Sequence, residues 1–418
     1  MSEIFKGRVA IVGMGYIGLP TAVAIATRGI DVIGVDINPA TVAALSRGEA
    51  PFVEPDLAVG VSGAVAMGRL SATTEMPEAD AFIIAVPTPF NSDKSADLSC
   101  VEAAASQIAP MLRPGNIVIL ESTCPPGTTE RIRKWIADLR PDLKTPVDGE
   151  NRADLFFAHC PERVLPGRIM IEMITNDRVV GGLTPQCAEK AASIYRLFAQ
   201  GEILLTDAAS AEMAKLVENA YRDVNIAFSN EISLISESLH IDVWEVIRLA
   251  NRHPRVNVLN PGPGVGGHCI PVDPWFIVSA APELSRLIRT AREVNDHRPH
   301  HVAGQVVEKA KRFKSPTVAC LGLTFKANVD DIRESPAIEV VSLIAQSMPD
   351  LSILVSDPYV STLPKLLGNF ANLHLESAHQ AVERADIVVL LVEHEAFKTI
   401  KHTRLGGKVV YDTRGAWH

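Results

Sequence analysis

The stretch RVAIVGMGYIGLP, residues 8–20, and the DVIGVD that follows at residues 31–36 decide the fold class of this chain. A short apolar run ends in Gly13-x-Gly15-x-x-Gly18. An apolar stretch with helical character continues to Gly29, which fits a helix C-cap, and a second apolar run ends in Asp36. This is the order strand, glycine loop, helix, strand, acid. A glycine triplet alone is a common tight turn that needs no ligand. Between a strand and a helix, with an acid closing the next strand, it fits a dinucleotide. The glycines allow the turn and the close approach of a pyrophosphate, and the helix N-terminus faces the phosphates. Asp36 would accept from the adenosine ribose hydroxyls and repel a 2′-phosphate, so NAD is expected rather than NADP.

Further strand-like runs follow at residues 80–86, 116–122, 154–159, 178–182 and 202–206, mostly with helical stretches between them. That alternation predicts a parallel, doubly wound α/β sheet. Residues 208–239 hold almost no helix breaker and predict one long helix. Met213, Val217, Ala220, Val224 and Ala227 form its expected apolar face, at a domain or subunit interface. A Gly/Pro-rich segment, 251–274, is too long for a passive linker. From residue 315 a second alternating pattern begins, with runs at 317–323, 352–357, 386–392 and 408–412 but no second glycine triplet. The expected architecture is α/β: two Rossmann-like domains joined by the long helix and a helical dimerisation region. The expected domains are 1–206 (NAD-binding), 207–312 (central, with a cysteine loop) and 313–418 (a second ligand-binding domain).

The 418 residues suffice for two or three domains, and 47% hydrophobic with 21% charged residues is ordinary globular composition. The net charge of −9, with no basic block, disfavours a general nucleic-acid binder. Six scattered cysteines without a CxxC pair suggest free thiols in a reducing compartment. No apolar run reaches a membrane-spanning length, and the first eight residues lack a signal-peptide layout. The cytoplasm is the expected location.

Four constellations carry chemistry. Lys215, Asn219 and Arg222 lie at i, i+4 and i+7 on one side of the long helix, with Glu212 close to it. Such a stripe is either a solvated face or a set of groups that hold an oxyanion and orient a hydroxyl or water. Cys269, in GPGVGGHCIPVD (262–273), has glycine N–H donors around it. A thiolate there would be a nucleophile for an aldehyde, giving a thiohemiacetal and, after loss of hydride, a thioester. The alternative is a small buried apolar side chain. Lys326 and Arg333 follow the first strand of the second α/β block and, with His253 and Arg255 upstream, supply the cations a nucleoside diphosphate needs. A solvated charge cluster is the competing reading. Glu162, after another strand, is a candidate acid or base, or else a surface carboxylate. The hydroxyls of ESTCPPGTT (121–129) are placed to line the cofactor cleft. The histidines show no metal-ligand spacing, so no metal is expected.

Taken together, GMGYIGLP (13–20), AVPTPF (85–90), ESTCPPGTT (121–129), CPERVLPG (160–167), AEMAKLVENAYRDVNIAF (211–228), GPGVGGHCIPVDP (262–274), GLTFKANVDDIRESPA (322–337) and DTRG (412–415) resemble the UDP-glucose/GDP-mannose dehydrogenase family over essentially the whole chain. The segments RVLPGR, LANRHPRVN and GVGGHCIPVDPWF look like its 2-acetamido-sugar branch. The resemblance implies a two-step NAD-dependent oxidation of a sugar C6 hydroxyl to the acid. UDP-N-acetyl-D-mannosamine is the expected substrate and UDP-N-acetyl-D-glucosamine the alternative; UDP-glucose is a more distant one. It implies catalytic Cys269 and Lys215, supporting Asn219 and Asp273, and Glu162 and Thr123 on the water or proton path. It places NAD around Gly13, Gly15, Tyr16, Ile17, Gly18, Asp36, Thr88, Thr129 and Arg333. It gives the UDP-sugar Arg163, Val164, Lys215, Asn219, Arg222, His253, Arg255, Gly266, Phe325 and Lys326. In the family an arginine matching Arg255 comes from the neighbouring subunit, which implies a homodimer or larger assembly. One departure argues against UDP-glucose: the UDP-glucose branch carries a second acid in the Glu162 loop, where this chain has Pro166, and Arg163 adds a cation.

Two rivals compete. A β-hydroxyacid dehydrogenase shares the first domain and a Lys-x-x-x-Asn helix, but needs neither Cys269 nor a second α/β block. A non-catalytic nucleotide-sugar sensor would keep the binding fold without needing the reactive groups present here.

Overall fold

The computed structural model describes residues 5–146, 153–165, 167–267, 269–400 and 402–417. They form two compact units, residues 1–218 with 279–281 and residues 219–278 with 282–418. The first unit is built on an eight-stranded sheet of β1 (Val9–Val12), β2 (Val32–Val35), β3 (Leu70–Thr73), β4 (Ala81–Ile84), β5 (Ile117–Leu120), β6 (Phe156–His159), β7 (Arg178–Gly182) and β8 (Ile203–Asp207). Their spatial order is β3-β2-β1-β4-β5-β6-β7-β8. The short runs of β1, β4 and β5 are buried on both faces, as a covered parallel sheet requires. Ile11, Ile83 and Ile119 fill one core while Val12, Ile84 and Leu120 fill the other. Each fully buried side chain of this size contributes about 1.5–3 kcal/mol over exposure.

The sheet departs from the expected all-parallel pattern at one pair: β6 and β7 are antiparallel, with Ala158 opposite Gly182. Among the described residues, the connection 160–177 holds only the seven-residue helix Ile169–Thr175, and β7 starts at the end of the sheet where β6 stopped. That turnback carries Glu162, and Arg178 opens the strand that follows it.

The second unit has a five-stranded parallel sheet in the order β11-β10-β9-β12-β13. Its strands are β9 (Thr317–Leu321), β10 (Ser352–Ser356), β11 (Leu373–Leu375), β12 (Ile387–Leu390) and β13 (Val409–Asp412). The short β3 and β11, at the sheet edges, were not among the strand-like runs of the sequence. Both halves use one device at the switch point where strand order reverses. Gly13 has φ +95 and donates to the Val35 carbonyl at 2.8 Å, while Asp36 accepts from Met14 N at 2.9 Å. Gly322 has φ +101 and donates to the Ser356 carbonyl at 2.7 Å, while Asp357 accepts from Leu323 N at 2.7 Å and Thr324 N at 3.1 Å. Only glycine takes such a turn without strain, and the acid at the end of the next strand pins the loop. The second block thus repeats the first without its glycine triplet.

The long helix spans Ala208–Ser238. Its inward row differs from the expected one: Leu216, Ala220, Asp223, Ala227 and Asn230 are buried, whereas Val217 is 46% exposed. Counting apolar letters missed this because buried polar groups are paired. Asp223 accepts from Arg292 at 2.5 Å and from Asn295 at 2.8 Å, and Asn230 donates to Asn295 at 2.8 Å. Arg292 and Asn295 lie on the helix Arg286–Ala310. Among the described residues, no helix is long and apolar enough to cross a membrane.

Candidate active site

The glycine loop of the first unit is a cradle shaped by what it lacks. A Cβ on Gly18 would stand 1.9 Å from the Gly13 carbonyl oxygen, and one on Gly13 would stand 2.5 Å from that of Ala85. A Cβ on Gly15 would meet nothing within 4 Å, so that backbone faces open space. The helix Gly18–Ala26 begins at Ile17 with no side-chain cap and no acid in its first turn. Its N–H groups and positive dipole end are therefore available to an anion. Asp36 is half-buried, with Oδ2 and Oδ1 taking Met14 N and Asn38 N, each at 2.9 Å, and each oxygen keeps a lone pair for a ribose hydroxyl. Tyr16, 44% exposed, lies 4.3 Å from the Phe52 ring. These residues fit a dinucleotide.

The loops after β4 and β5 are joined by Thr88, whose hydroxyl donates to the Thr123 carbonyl at 2.6 Å. Thr129 is buried in the first turn of helix Thr128–Leu139, and both its N–H (2.7 Å) and its hydroxyl (2.6 Å) donate to Glu212. Gly127 N donates to the other Glu212 oxygen at 2.5 Å. Glu212 thus caps that helix from the long helix and fixes the turn that carries Lys215. Burial raises the Glu212 pKa although these donors pull it down. Lys215 itself is half-buried.

The reading of Glu162 as a surface carboxylate is overturned: it is 8% exposed. Its carboxylate accepts from Arg163 N at 2.7 Å and pairs with the buried Arg178 guanidinium at 3.1 Å. Arg178 also faces the rings of Tyr195 and Phe198 at 5.1 and 5.0 Å. Beside it, Glu121 accepts from Thr21 at 3.0 Å and Tyr195 at 2.8 Å. Burial and then the charge of Glu162 push the Glu121 pKa up to about 7, against the pull of Arg178. The sequence reading singled out neither Arg178 nor Glu121 as a candidate. An arginine opening an apolar strand was the available signal. Arg163 pairs with Glu218 at 2.6 Å, and Val164 packs on the first core. Pro166, named as a departure, lies outside the described residues.

In the second unit, Asn219 donates to Asp273 at 2.5 Å. Asp273 begins the helix Asp273–Ala280, and its N–H donates to the Cys269 carbonyl at 2.9 Å. Cys269 is exposed, whereas Cys124, Cys160, Cys187 and Cys320 are buried. Burial pushes the Cys160 and Cys320 thiols up to about 12, which makes them inert. The alternative of Cys269 as a buried apolar side chain is therefore overturned. Its loop docks through glycines. A Cβ on Gly266 would stand 2.5 Å from the Glu334 carbonyl and 2.9 Å from Phe325 Cβ, and Gly267 N donates to the Arg333 carbonyl at 3.2 Å. Phe325 and the exposed Lys326 follow β9 at the switch point of the second sheet, where open sheets take ligands. Arg333 is ion-paired with Asp331 at 2.6 Å. Arg222, His253 and Arg255 are exposed. The structure thus gathers Asn219, Gly266, Cys269, Asp273, Phe325 and Arg333 around one loop, and leaves Arg222, His253 and Arg255 at the surface of this single chain.

Sequence models of the UDP-glucose/GDP-mannose dehydrogenase family match residues 7–199 (NAD binding domain), 209–297 (central domain) and 319–418 (UDP binding domain). The chain is 55% identical over 409 residues to an NDP-N-acetyl-D-galactosaminuronic acid dehydrogenase of Ralstonia nicotianae, covering 98% of this chain and 96% of that one. It is 52% identical over 417 residues to the UDP-N-acetyl-D-mannosamine dehydrogenase of Escherichia coli, covering 98% and 99%. Among solved structures, the UDP-N-acetyl-mannosamine dehydrogenase Cap5O from Staphylococcus aureus matches with TM-score 0.85 and 41% identity, covering 98% of this chain and 95% of that one. The glycine cradle, the exposed thiol on its glycine-docked loop and these likenesses agree: the chain belongs to the UDP-glucose/GDP-mannose dehydrogenase family and is an NAD-dependent UDP-sugar dehydrogenase.

Proposed function

We propose that the substrate is a UDP-linked 2-acetamido hexose, with UDP-N-acetyl-D-mannosamine the foremost candidate, and that its C6 hydroxyl is oxidised to the carboxylate in two steps through a covalent bond to Cys269. The observation that carries this reading is the 2.5 Å contact of Asn219 with Asp273, whose N–H meets the Cys269 carbonyl. Within the second unit it ties Asn219 to the loop of the exposed thiol.

The glycine loop, Asp36 and the loops carrying Thr88 and Thr123 would hold NAD, which would supply the hydride acceptor for each of two oxidations. The Lys215 ammonium stabilises the alkoxide formed as the C6 hydroxyl loses its proton, and Asn219, held by Asp273, orients it. The Cys269 thiolate adds to the C6 aldehyde to give a thiohemiacetal, whose oxidation leaves a thioester. The Glu162 carboxylate, ion-paired with Arg178, takes a proton from the water that hydrolyses the thioester and frees the thiol. One alcohol and one water become one carboxylic acid, with two hydrides and two protons released. Arg163, Arg222, His253, Arg255, Phe325 and Lys326 provide the charge and the aromatic face for the UDP moiety.

A homodimer accompanies this reading. Tyr221, Phe228 and Ile235 on the long helix and Leu239 just past its end are 69, 53, 45 and 62% exposed, at spacings of seven, seven and four, and such a row is an interface in waiting. A second copy there leaves the exposed Arg255 free to serve the partner's site. The six free cysteines fit a reducing compartment, the cytoplasm.

The deciding experiment counts NADH per sugar over a panel of UDP-sugars. Two NADH per UDP-N-acetyl-D-mannosamine is the expected result. One NADH would return the chain to simple alcohol oxidation. The second reading, a galactosamine-configured substrate, is favoured by the 55% identity to the galactosaminuronic acid enzyme, and turnover with that epimer in the same panel would select it.

A further inference from the structure

Cys124, His159 and Glu212 lie far apart in sequence, which is why spacing gave no hint of them. In the first unit they converge: Cys124 Sγ, a His159 ring nitrogen and a Glu212 carboxylate oxygen all lie within 4.8 Å of one another, and all three residues are buried. The residues come from the loop after β5, the end of β6 and the first turns of the long helix.

We propose that this cluster is a structural site for a divalent, thiol-tolerant metal ion, zinc being the best match. Four observations carry it. First, neither ring nitrogen of His159 has a hydrogen-bond partner, although the residue is 0% exposed. A buried imidazole must carry one N–H and one lone pair, and leaving both unmet is costly. The Leu120 carbonyl borders the ring without meeting it in hydrogen-bond geometry. Second, the three candidate ligand atoms already lie close enough together, in a buried setting, for a single ion to bridge them. Third, Glu212 is already oriented as an outer-shell network orients a ligand. Gly127 N, Thr129 N and the Thr129 hydroxyl take three of its lone pairs, and the remaining capacity faces Cys124, which donates to it. Fourth, the charges close: a thiolate and a carboxylate neutralise one Zn²⁺, so a buried site carries no net charge. One Cys, one His and one Glu match zinc's N, S and O preferences and leave one tetrahedral position for water.

Binding replaces the Cys124 S–H bond with a sulfur–metal bond and releases that proton to solvent, with no change of oxidation state. The ion would bolt together the segments that carry Thr123, Glu162 and Lys215. It takes no part in hydride transfer, so the site stands or falls independently of the substrate reading.

The test uses the full-length protein, purified reduced and metal-limited, then loaded with Zn²⁺ and desalted. Elemental analysis is expected to find about one zinc per chain in the wild type and in Cys269→Ser, and less than a tenth of that in Cys124→Ser and His159→Gln. Co²⁺ loading is expected to give a sulfur-to-cobalt absorption band that Cys124→Ser abolishes and Cys269→Ser keeps. Zinc is expected to raise the melting midpoint of the wild type and not that of Cys124→Ser. Zinc no higher than trace in a folded wild type overturns the site, and so does zinc retained at full occupancy in Cys124→Ser. Should His159→Gln fail to fold, the near-isosteric serine variant decides alone.

Discussion

At the scale of single residues, environment separates the six chemically identical thiols. Cys160 and Cys320 are sealed in cores that hold the proton on sulfur, while Cys269 stands exposed on a glycine-rich loop. Cys269→Ser is expected to release at most one NADH per UDP-sugar and no acid, measured by absorbance and product chromatography. Lys215→Ala is expected to lower kcat by roughly 10²- to 10³-fold, as loss of one oxyanion donor does. An unchanged kcat would remove the ammonium from the reaction. The Glu162–Arg178 pair is buried on both sides, so Arg178→Met strands a carboxylate in the core. It is expected to cost about 3–5 kcal/mol in denaturant unfolding. Glu121 carries a pH signature. Its pKa is about 7 in the folded chain against the ordinary glutamate value of 4.5, so between those values the folded chain holds a proton that the unfolded chain has lost. Stability from this group is full below pH ~4.5 and falls as pH rises to ~7. Melting of Glu121→Gln between pH 5 and 7 is expected to lose that downward slope.

At the scale of elements, the loop-and-acid device at Gly13–Asp36 and Gly322–Asp357 explains why two blocks of different sequence present ligands at the same end of their sheets. Gly18 shows how narrow the tolerance is. Its missing Cβ would lie 1.9 Å from the Gly13 carbonyl. Gly18→Ala must push the helix N-terminus out of line, at about 1–3 kcal/mol. NAD affinity is expected to fall roughly tenfold or more, since about 1.4 kcal/mol is a decade. Calorimetric titration with NAD checks it, and an unchanged affinity would show that the helix start does not hold the phosphates.

At the scale of the whole molecule, the exposed row Tyr221, Phe228, Ile235 and Leu239 asks for cover. Phe228→Glu together with Ile235→Glu is expected to give a folded monomer by sedimentation and to depress turnover if Arg255 serves a neighbouring site. A dimer unchanged by both charges would move the interface elsewhere.

The sequence by itself determined what is local in the chain. The glycine loop with its acid, the alternation of strand and helix, the long helix and the glycine setting of Cys269 all rest on near-neighbour patterns, and periodicity reports those directly. The tertiary structure alone decided the polar interior. The antiparallel turn of β7, the Glu162–Arg178 and Glu121–Tyr195 contacts, the Asp223 row facing Arg292, and the meeting of Cys124 with His159 and Glu212 all join residues distant in the chain. Charged and polar letters read as solvent-facing in one dimension. Only a partner brought up from elsewhere in the fold offsets the cost of their burial, and that partner is invisible until the chain has closed upon itself.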